Sequence, residues 1–252
     1  MAKYVLTGGA TGIGAAIKAA LLADQNEVIT LDIRDGDYDV DLGDAEARAQ
    51  VIAQVKADHP TLDGIITCAG VASHFPDTGK ILSINYWGTI DIVLGLKDAL
   101  TQGGRIVLIS SNSAPQCTRP ELVDAMLSGD ESTALELARS ASGHDCYSGS
   151  KQAVARWMRR QAPDFARAGI NINAVAPGYI ETPMTQAVAE STEYGDAIKQ
   201  FVASIPLGRP GLPADIAHLV QFLLSEKASF IAGTTIFADG AHDALFRPEL
   251  SV

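Results

Sequence analysis

A short apolar run, Lys3 to Thr7, passes directly into Gly8-Gly9-Ala10-Thr11-Gly12-Ile13-Gly14, and an amphipathic stretch follows to about Ala23. Few folds accept that succession. A strand that ends in closely spaced glycines and resumes as a helix is the opening turn of a layered α/β sheet. Glycine lets the chain turn sharply and lets backbone N–H groups approach a pyrophosphate at the positive end of the helix. Gly8, Gly12 and Gly14, with Thr11 and Ile13 between them, are therefore candidate dinucleotide-binding positions. A helix start that needs small residues only for packing would look the same, so the turn requires support from elsewhere.

The rest of the chain repeats the unit. Short apolar runs at 27–32, 64–69, 105–110, 171–176 and 234–238 are interleaved with amphipathic stretches at 44–58, 80–100, 147–168 and 213–224. Parallel strands need long crossovers, and right-handed crossovers put helices on both faces. The pattern predicts an α/β fold: a single doubly wound, Rossmann-type parallel sheet, forming one domain over 1–252. Hydrophobic residues make up 47% of the chain and charged ones 19%, which is enough apolar content to bury such a core. Two stretches break the alternation. Residues 114–145 carry two short amphipathic patterns, Pro120 to Leu127 and Glu131 to Arg139, and predict a helical insert. Pro120 suits a first helical position, Gly129 a stop and Asp130 an N-cap. Residues 178–207 are too long for an ordinary connection and predict a substrate lid. Its apolar positions include Met184, Val188, Tyr194, Ile198, Phe201 and Val202.

The formal charge of −11 repels phosphate backbones and argues against a nucleic-acid partner. No apolar run approaches the roughly 18 residues a membrane span needs. Cys68, Cys117 and Cys146 have neither pairing nor metal-ligand spacing, and the histidines are scattered. The expectation is a cytoplasmic protein with no metal and no membrane partner.

The second strand ends in Leu31-Asp32, 18 residues beyond Gly14. A carboxylate there can accept from both adenosine-ribose hydroxyls and repels a 2′-phosphate, so the expected cofactor is NAD. Tyr147 and Lys151 stand at i and i+4, which places both side chains on one helix face. A phenol with a pKa of about 10 is a poor base at neutral pH, but a neighbouring ammonium stabilises the phenolate. That pair can exchange a proton with an alcohol or ketone oxygen. Ser111 follows a strand at the carboxyl edge, where such sheets place ligands.

Thr7 to Gly14, Thr67-Cys68-Ala69-Gly70, Asn85, Ser111, Tyr147-Ser148-Gly149-Ser150-Lys151 and Pro177-Gly178 fall in an order that resembles the short-chain dehydrogenase/reductase family over essentially the whole chain. The resemblance implies hydride transfer between nicotinamide and a secondary alcohol or ketone, with Tyr147 as acid/base. It implies that Ser111 binds the substrate oxygen, with Ser110 and Ser113 as the competing assignments, that Lys151 also holds the nicotinamide ribose, and that Asn85 links Lys151 to solvent. It further assigns Asp41 and Leu42 to the adenine pocket, Asp63 to turn stabilisation, and Cys68, Ala69 and Gly70 to a backbone wall. Pro177, Gly178, Ile180 and Thr182 would flank the nicotinamide amide, and Ser113 and Met184 would shape the substrate pocket. Most members carry Asn where Thr67 or Cys68 stands; this loop touches cofactor mainly by backbone, so binding is expected to survive. Leu31 to Asp35, Cys68 to Gly70, Ser111 to Ser113, the long insert and the tail Asp243 to Pro248 are similar to the bacterial 3α-hydroxysteroid dehydrogenase/carbonyl reductase branch. That likeness implies a hydrophobic alcohol or ketone substrate. An aryl or cyclic secondary alcohol, a halohydrin lyase reaction and a catalytically silent NAD-sensing role are the competing readings. The insert stands beside the Tyr-bearing helix, where the family's tetramers make a contact, and so predicts a homodimer through about Pro213 to Asp239.

Overall fold

The computed structural model describes residues 1–182, 185 and 195–249. Its centre is one parallel sheet of seven strands: β1 (Lys3–Thr7), β2 (Glu27–Asp32), β3 (Tyr38–Asp39), β4 (Leu62–Thr67), β5 (Leu100–Ile109), β6 (Asn171–Pro177) and β7 (Thr235–Ala238). They lie in the order β3-β2-β1-β4-β5-β6-β7. The chain moves outward from β1 to β3 and then returns to β4 on the other side of β1. That reversal opens a crevice at the carboxyl ends of β1 and β4, the place where sheets of this kind bind ligands.

Alternation along the strands divides the core into two layers. Val5, Ile65 and Ile106 point to one face; their neighbours Leu6, Ile66 and Val107 point to the other. The first face is covered by α2 (Ala45–Asp58), α4 (Gly88–Leu96) and α7 (Gly143–Arg167), through Val55, Val93 and Val154 among others. The second is covered by α1 (Gly12–Ala23) and α9 (Pro213–Leu224), through Ile17, Leu21, Ile216 and Val220. α3 (Thr78–Leu82) and the insert helices α5 (Pro120–Ser128) and α6 (Glu131–Ala138) join the first face beside α7, and the remaining helices are α8 (Gly195–Ala203) and a final short α10 (His242–Phe246).

The insert folds as its sequence predicts. Pro120 opens α5, Gly129 ends it at φ 79°, and the Asp130 carboxylate accepts the Thr133 amide at 2.9 Å. Leu122, Val123, Met126, Ala134 and Ala138 are wholly buried, so this apolar face packs inward. The helix expected over 80–100 is broken. It becomes α3, a π turn at Ser83–Trp87, then α4 and a single 3-10 turn, and β5 starts at Leu100 instead of Arg105. Gly103, at φ 85°, lies in the irregular stretch of β5 between the Leu62–Leu100 and Gly64–Arg105 pairings, a backbone region that glycine reaches without strain. α7 begins at Gly143, ahead of Tyr147, because Ser142 caps it by accepting the Asp145 amide at 3.0 Å. The two-residue strand β3 and the helix α10 have no periodic signal and are absent from the sequence reading. Among the described residues no helix is long and apolar enough to cross a membrane.

Candidate active site

The crevice at the switch point is a cleft of about 580 Å³. Its floor is the glycine turn. Gly8 sits at φ 74°, and a Cβ there would lie 2.6 Å from the Ala69 backbone, so only glycine lets the β1 and β4 loops meet. Thr7 Oγ1 accepts the amides of Cys68 and Ala69, both at 3.1 Å, and fixes that meeting. The first turn of α1 carries no acid, and Thr11 makes no side-chain cap. Among the described residues no side chain caps that turn, which leaves its leading amides open to an anionic group.

Asp32 stands at one wall. One of its carboxylate oxygens accepts the Ala10 amide at 2.9 Å and the other accepts the Ile33 amide at 2.8 Å, which aims the side chain across the turn. Asp41 and Leu42 line the same end. The Asp41 carboxylate accepts the Gly43 amide at 2.7 Å and Lys80 Nζ at 3.0 Å. Cys68, Ala69 and Gly70 form the middle, with Ile13, Gly12, Gly14, Ile180 and Thr182 closing the approach. Burial pushes the Cys68 thiol up to about 12, which leaves it unreactive at neutral pH.

Ser111, Tyr147 and Lys151 line the opposite end of the cleft, with Pro177 and Gly178 beside them. Ser111 Oγ accepts the Ser113 amide at 3.1 Å and lies 3.0 Å from Ser113 Oγ, so Ser113 orients Ser111 from behind. Lys151 Nζ donates to the Ile109 carbonyl at 3.0 Å and lies 6.0 Å from the Tyr147 ring centre. Burial pulls its pKa down to about 8, against a smaller upward pull from the neighbouring Cys68. Burial pushes the Tyr147 phenol up, and the Ser111 hydroxyl beside it pulls it back down. A recessed cation near a phenol stabilises phenolate, the form needed to take a proton from an alcohol.

Asn85 does not reach the cleft wall. The π turn points its amide at Val71, accepting that residue's N–H at 2.8 Å and donating to its carbonyl at 3.0 Å, and it donates to Ser150 Oγ at 3.3 Å. It still borders Lys151: a Cβ on Gly70 would sit 2.9 Å from Asn85 Oδ1 and 3.4 Å from Lys151 Nζ. Asp63, expected to stabilise a turn, accepts the Lys3 amide at 2.8 Å and Thr101 Oγ1 at 3.1 Å, tying β1, β4 and β5. Ser113 stands behind Ser111 and not on the wall. Of the predicted lid, Met184, Val188 and Tyr194 lie outside the described residues. The described end, α8, carries Phe201 edge-on to Tyr179 and to His242, with ring centres 6.0 and 4.8 Å apart.

Ile33, Val40, Val71, Ala72, Phe75, Lys80, Ile84, Ile109 and Thr185 also line the cleft, beyond the residues that the sequence predicts. Val71, Ala72 and Phe75 follow Gly70 closely, so continuing the loop past the glycine would have found these apolar lining residues. Lys80 and Ile84 had no such signal, because their place depends on the break between α3 and α4.

The family model described as short chain dehydrogenase matches residues 3–120, and the one described as Enoyl-(Acyl carrier protein) reductase matches residues 132–241. A 3-alpha-hydroxysteroid dehydrogenase/carbonyl reductase of Comamonas testosteroni is 36% identical, covering 98% of this chain and 99% of its own. An acetoacetyl-CoA reductase of Shinella zoogloeoides is 30% identical over 94% of this chain and 96% of its own. The 3-alpha-hydroxysteroid dehydrogenase of Pseudomonas sp. B-0831, solved with NADH, superposes with a TM-score of 0.92 at 38% identity, covering 99% of this chain and all of the other.

Proposed function

This chain belongs to the short-chain dehydrogenase/reductase family, and on that premise we propose that it is an NAD-dependent enzyme interconverting a hydrophobic secondary alcohol and its ketone. The observation that carries the reading is that one cleft holds an uncapped glycine turn at one end and Ser111, Tyr147 and Lys151 at the other. The residues fit the cofactor: a Cβ on Gly14 would overlap the Gly8 carbonyl oxygen and one on Gly8 would lie 2.6 Å from the Ala69 backbone, so only glycines let the turn close tightly enough to bring the first amides of α1 to the cleft. Gly8 to Gly14 would hold the pyrophosphate, Asp32 the adenosine ribose, Asp41 and Leu42 the adenine, and Lys151 the second ribose. Bound NAD supplies the ring that accepts or returns a hydride.

The chain's own residues handle the proton. Ser111 Oγ hydrogen-bonds the substrate oxygen and fixes it against Tyr147. In oxidation the phenolate of Tyr147 takes the hydroxyl proton as the C–O bond becomes C=O; in reduction the phenol returns it. Lys151 holds a positive charge beside the phenolate, and Asn85 keeps the Val71 loop and the Lys151 helix together. Val71, Ala72 and Phe75 offer an apolar wall, which favours a steroid-like, aryl or cyclic ketone over a polyhydroxylated one. A lyase reaction on this fold would have no use for Asp32 or the open glycine turn.

Asp32 gives the cofactor test. Its carboxylate repels a 2′-phosphate, so wild type is expected to prefer NAD+ over NADP+. Asp32→Ala is expected to raise the NADP+/NAD+ ratio of kcat/KM by at least roughly tenfold. A wild type that prefers NADP+, or a ratio unmoved in the variant, overturns the NAD assignment.

The chain acts as one domain in this reading, supported by its single sheet, and works in the cytoplasm as a homodimer. The three cysteines are free, as a reducing compartment requires. The insert supports the dimer because its buried apolar face lies against α7: a Cβ on Gly149 would meet Cys117 Sγ at 3.1 Å and Val123 Cγ2 at 3.8 Å. Phe222 and Phe230 are exposed around α9 and β7, the opposite surface, and would form the interface. Light scattering at micromolar concentration is expected to give the dimer mass, and a tetramer mass contradicts this assembly.

A further inference from the structure

Arg48 is the largest wholly buried side chain of the described residues, and its position in α2 has no part in the chemistry above. A guanidinium does not enter a protein interior without partners for its fork of donors. Here three segments supply them. Nε donates to Asp91 of α4 at 2.7 Å, Nη1 to the Leu42 carbonyl at 3.0 Å, and Nη2 to Glu131 at 3.3 Å. Glu131 is the first residue of α6, in the insert, and its other oxygen accepts Ser83 Oγ at 3.4 Å, at the start of the π turn.

Leu42 makes this arrangement relevant to the cleft. Its carbonyl is held by Arg48 while its residue lines the adenine end together with Asp41, Lys80 and Ile84. The loop also packs closely on the segment that α6 holds: a Cβ on Gly43 would meet Lys80 Cδ at 2.9 Å and Ile84 Cγ1 at 3.0 Å. The insert is pinned a second time where Thr78 Oγ1, opening α3, donates to the Ala138 carbonyl at the end of α6 at 2.9 Å. Helix α6 therefore spans the segment from Thr78 to Ser83, with Lys80 inside it, and grips both ends.

We propose that Glu131, acting through Arg48 and Leu42, is a positioning residue for the adenine wall of the cofactor cleft, so that the insert tunes cofactor affinity as well as covering α7. This rests on the nucleotide reading of the cleft. Without Glu131 the guanidinium keeps only Asp91 as an anionic partner and turns toward it, and the Leu42 carbonyl loses its donor. The wall beside Asp41 then loosens, while Ser111, Tyr147 and Lys151, at the other end, keep their own bonds.

The test is calorimetric titration of the full chain with ADP and with NADH, together with steady-state kinetics. Glu131→Ala is expected to weaken ADP and NADH by the same factor, roughly five- to tenfold, and to raise KM for NAD+ with kcat within about twofold of wild type. Glu131→Gln keeps the shape and removes the charge, and is expected to weaken both ligands by a smaller factor; it serves if Glu131→Ala does not fold. Glu136→Ala, on the same helix in an exposed pair with Arg139, controls for fraying of α6 and is expected to bind as wild type does. Unchanged ADP binding in both Glu131 variants overturns the proposal, as does a loss in Glu136→Ala equal to that in Glu131→Ala. Failure of wild type itself to bind ADP or NADH overturns the nucleotide reading, and the proposal with it.

Discussion

Tyr147→Phe is expected to lower kcat/KM by roughly a hundred- to ten-thousandfold while the affinity for NADH stays within about twofold of wild type. The substitution removes one oxygen and keeps the ring, so the packing of α7 is preserved and only the proton position is lost. Its selectivity distinguishes acid/base chemistry from a tyrosine that shapes the cleft, because a shaping residue would move binding and turnover together. The pH profile adds a second check. Burial raises the Tyr147 pKa and the Ser111 hydroxyl lowers it. Oxidation needs the phenolate, so its kcat/KM climbs with pH until Tyr147 has ionised. Reduction needs the phenol and falls over the same interval. Ser111→Ala removes the bond that favours phenolate, so both limbs are expected to move to higher pH. Limbs that stay in place, or move to lower pH, would assign the titration to another group.

The second large effect is expected from Gly14→Ala. A Cβ there would overlap the Gly8 carbonyl oxygen and lie 2.8 Å from the Gly8 carbonyl carbon and 3.3 Å from Gly9 Cα. Those atoms are backbone and cannot rotate away, so the turn itself must open. Overpacking of this kind costs about 1–3 kcal/mol of stability. Binding suffers more, because the first-turn amides of α1 lose their common direction. NADH affinity is expected to fall by at least roughly a hundredfold, on the scale of several charge-assisted hydrogen bonds lost together. Gly129→Ala supplies the comparison. Gly129 ends α5 at φ 79° with nothing within 4 Å, so the change strains the helix cap and leaves the cleft alone. It is expected to lower the melting temperature with NADH affinity unchanged. A Gly14→Ala variant that binds NADH like wild type would remove the glycine turn from the cofactor site.

Much of this was legible in the sequence because it is local. A strand feeding a glycine turn, an acid closing the next strand, and Tyr147 four residues from Lys151 each carry their geometry in their spacing. The three β1, β2 and β7 runs and the caps at Gly129 and Asp130 were readable for the same reason. What stayed hidden depends on irregular backbone or on tertiary neighbours. The apolar stretch from Lys80 to Leu100 contains no proline and reads as one helix, yet the π turn at Ser83–Trp87 rotates Asn85 toward Val71 and Ser150 instead of the cleft. Lys80 reaches Asp41 across 39 positions, a contact no periodicity encodes. Arg48 sits in a helix whose charged residues resemble any solvated face, and only the partners from α4 and α6 show why it is buried. Ser113, expected to shape the substrate pocket, is not among the cleft-lining residues and hydrogen-bonds Ser111 instead, a placement set by the loop after β5.

The measurement that bears most directly on the whole account is NADH formation, followed by its near-ultraviolet absorbance, with purified protein, NAD+ and a panel of 3α-hydroxysteroids, aryl secondary alcohols and cyclic secondary alcohols. The account predicts turnover of at least one hydrophobic secondary alcohol with NAD+, faster than with NADP+, together with tight NADH binding. Protein that is folded yet neither binds NADH nor oxidises any member of the panel would contradict it.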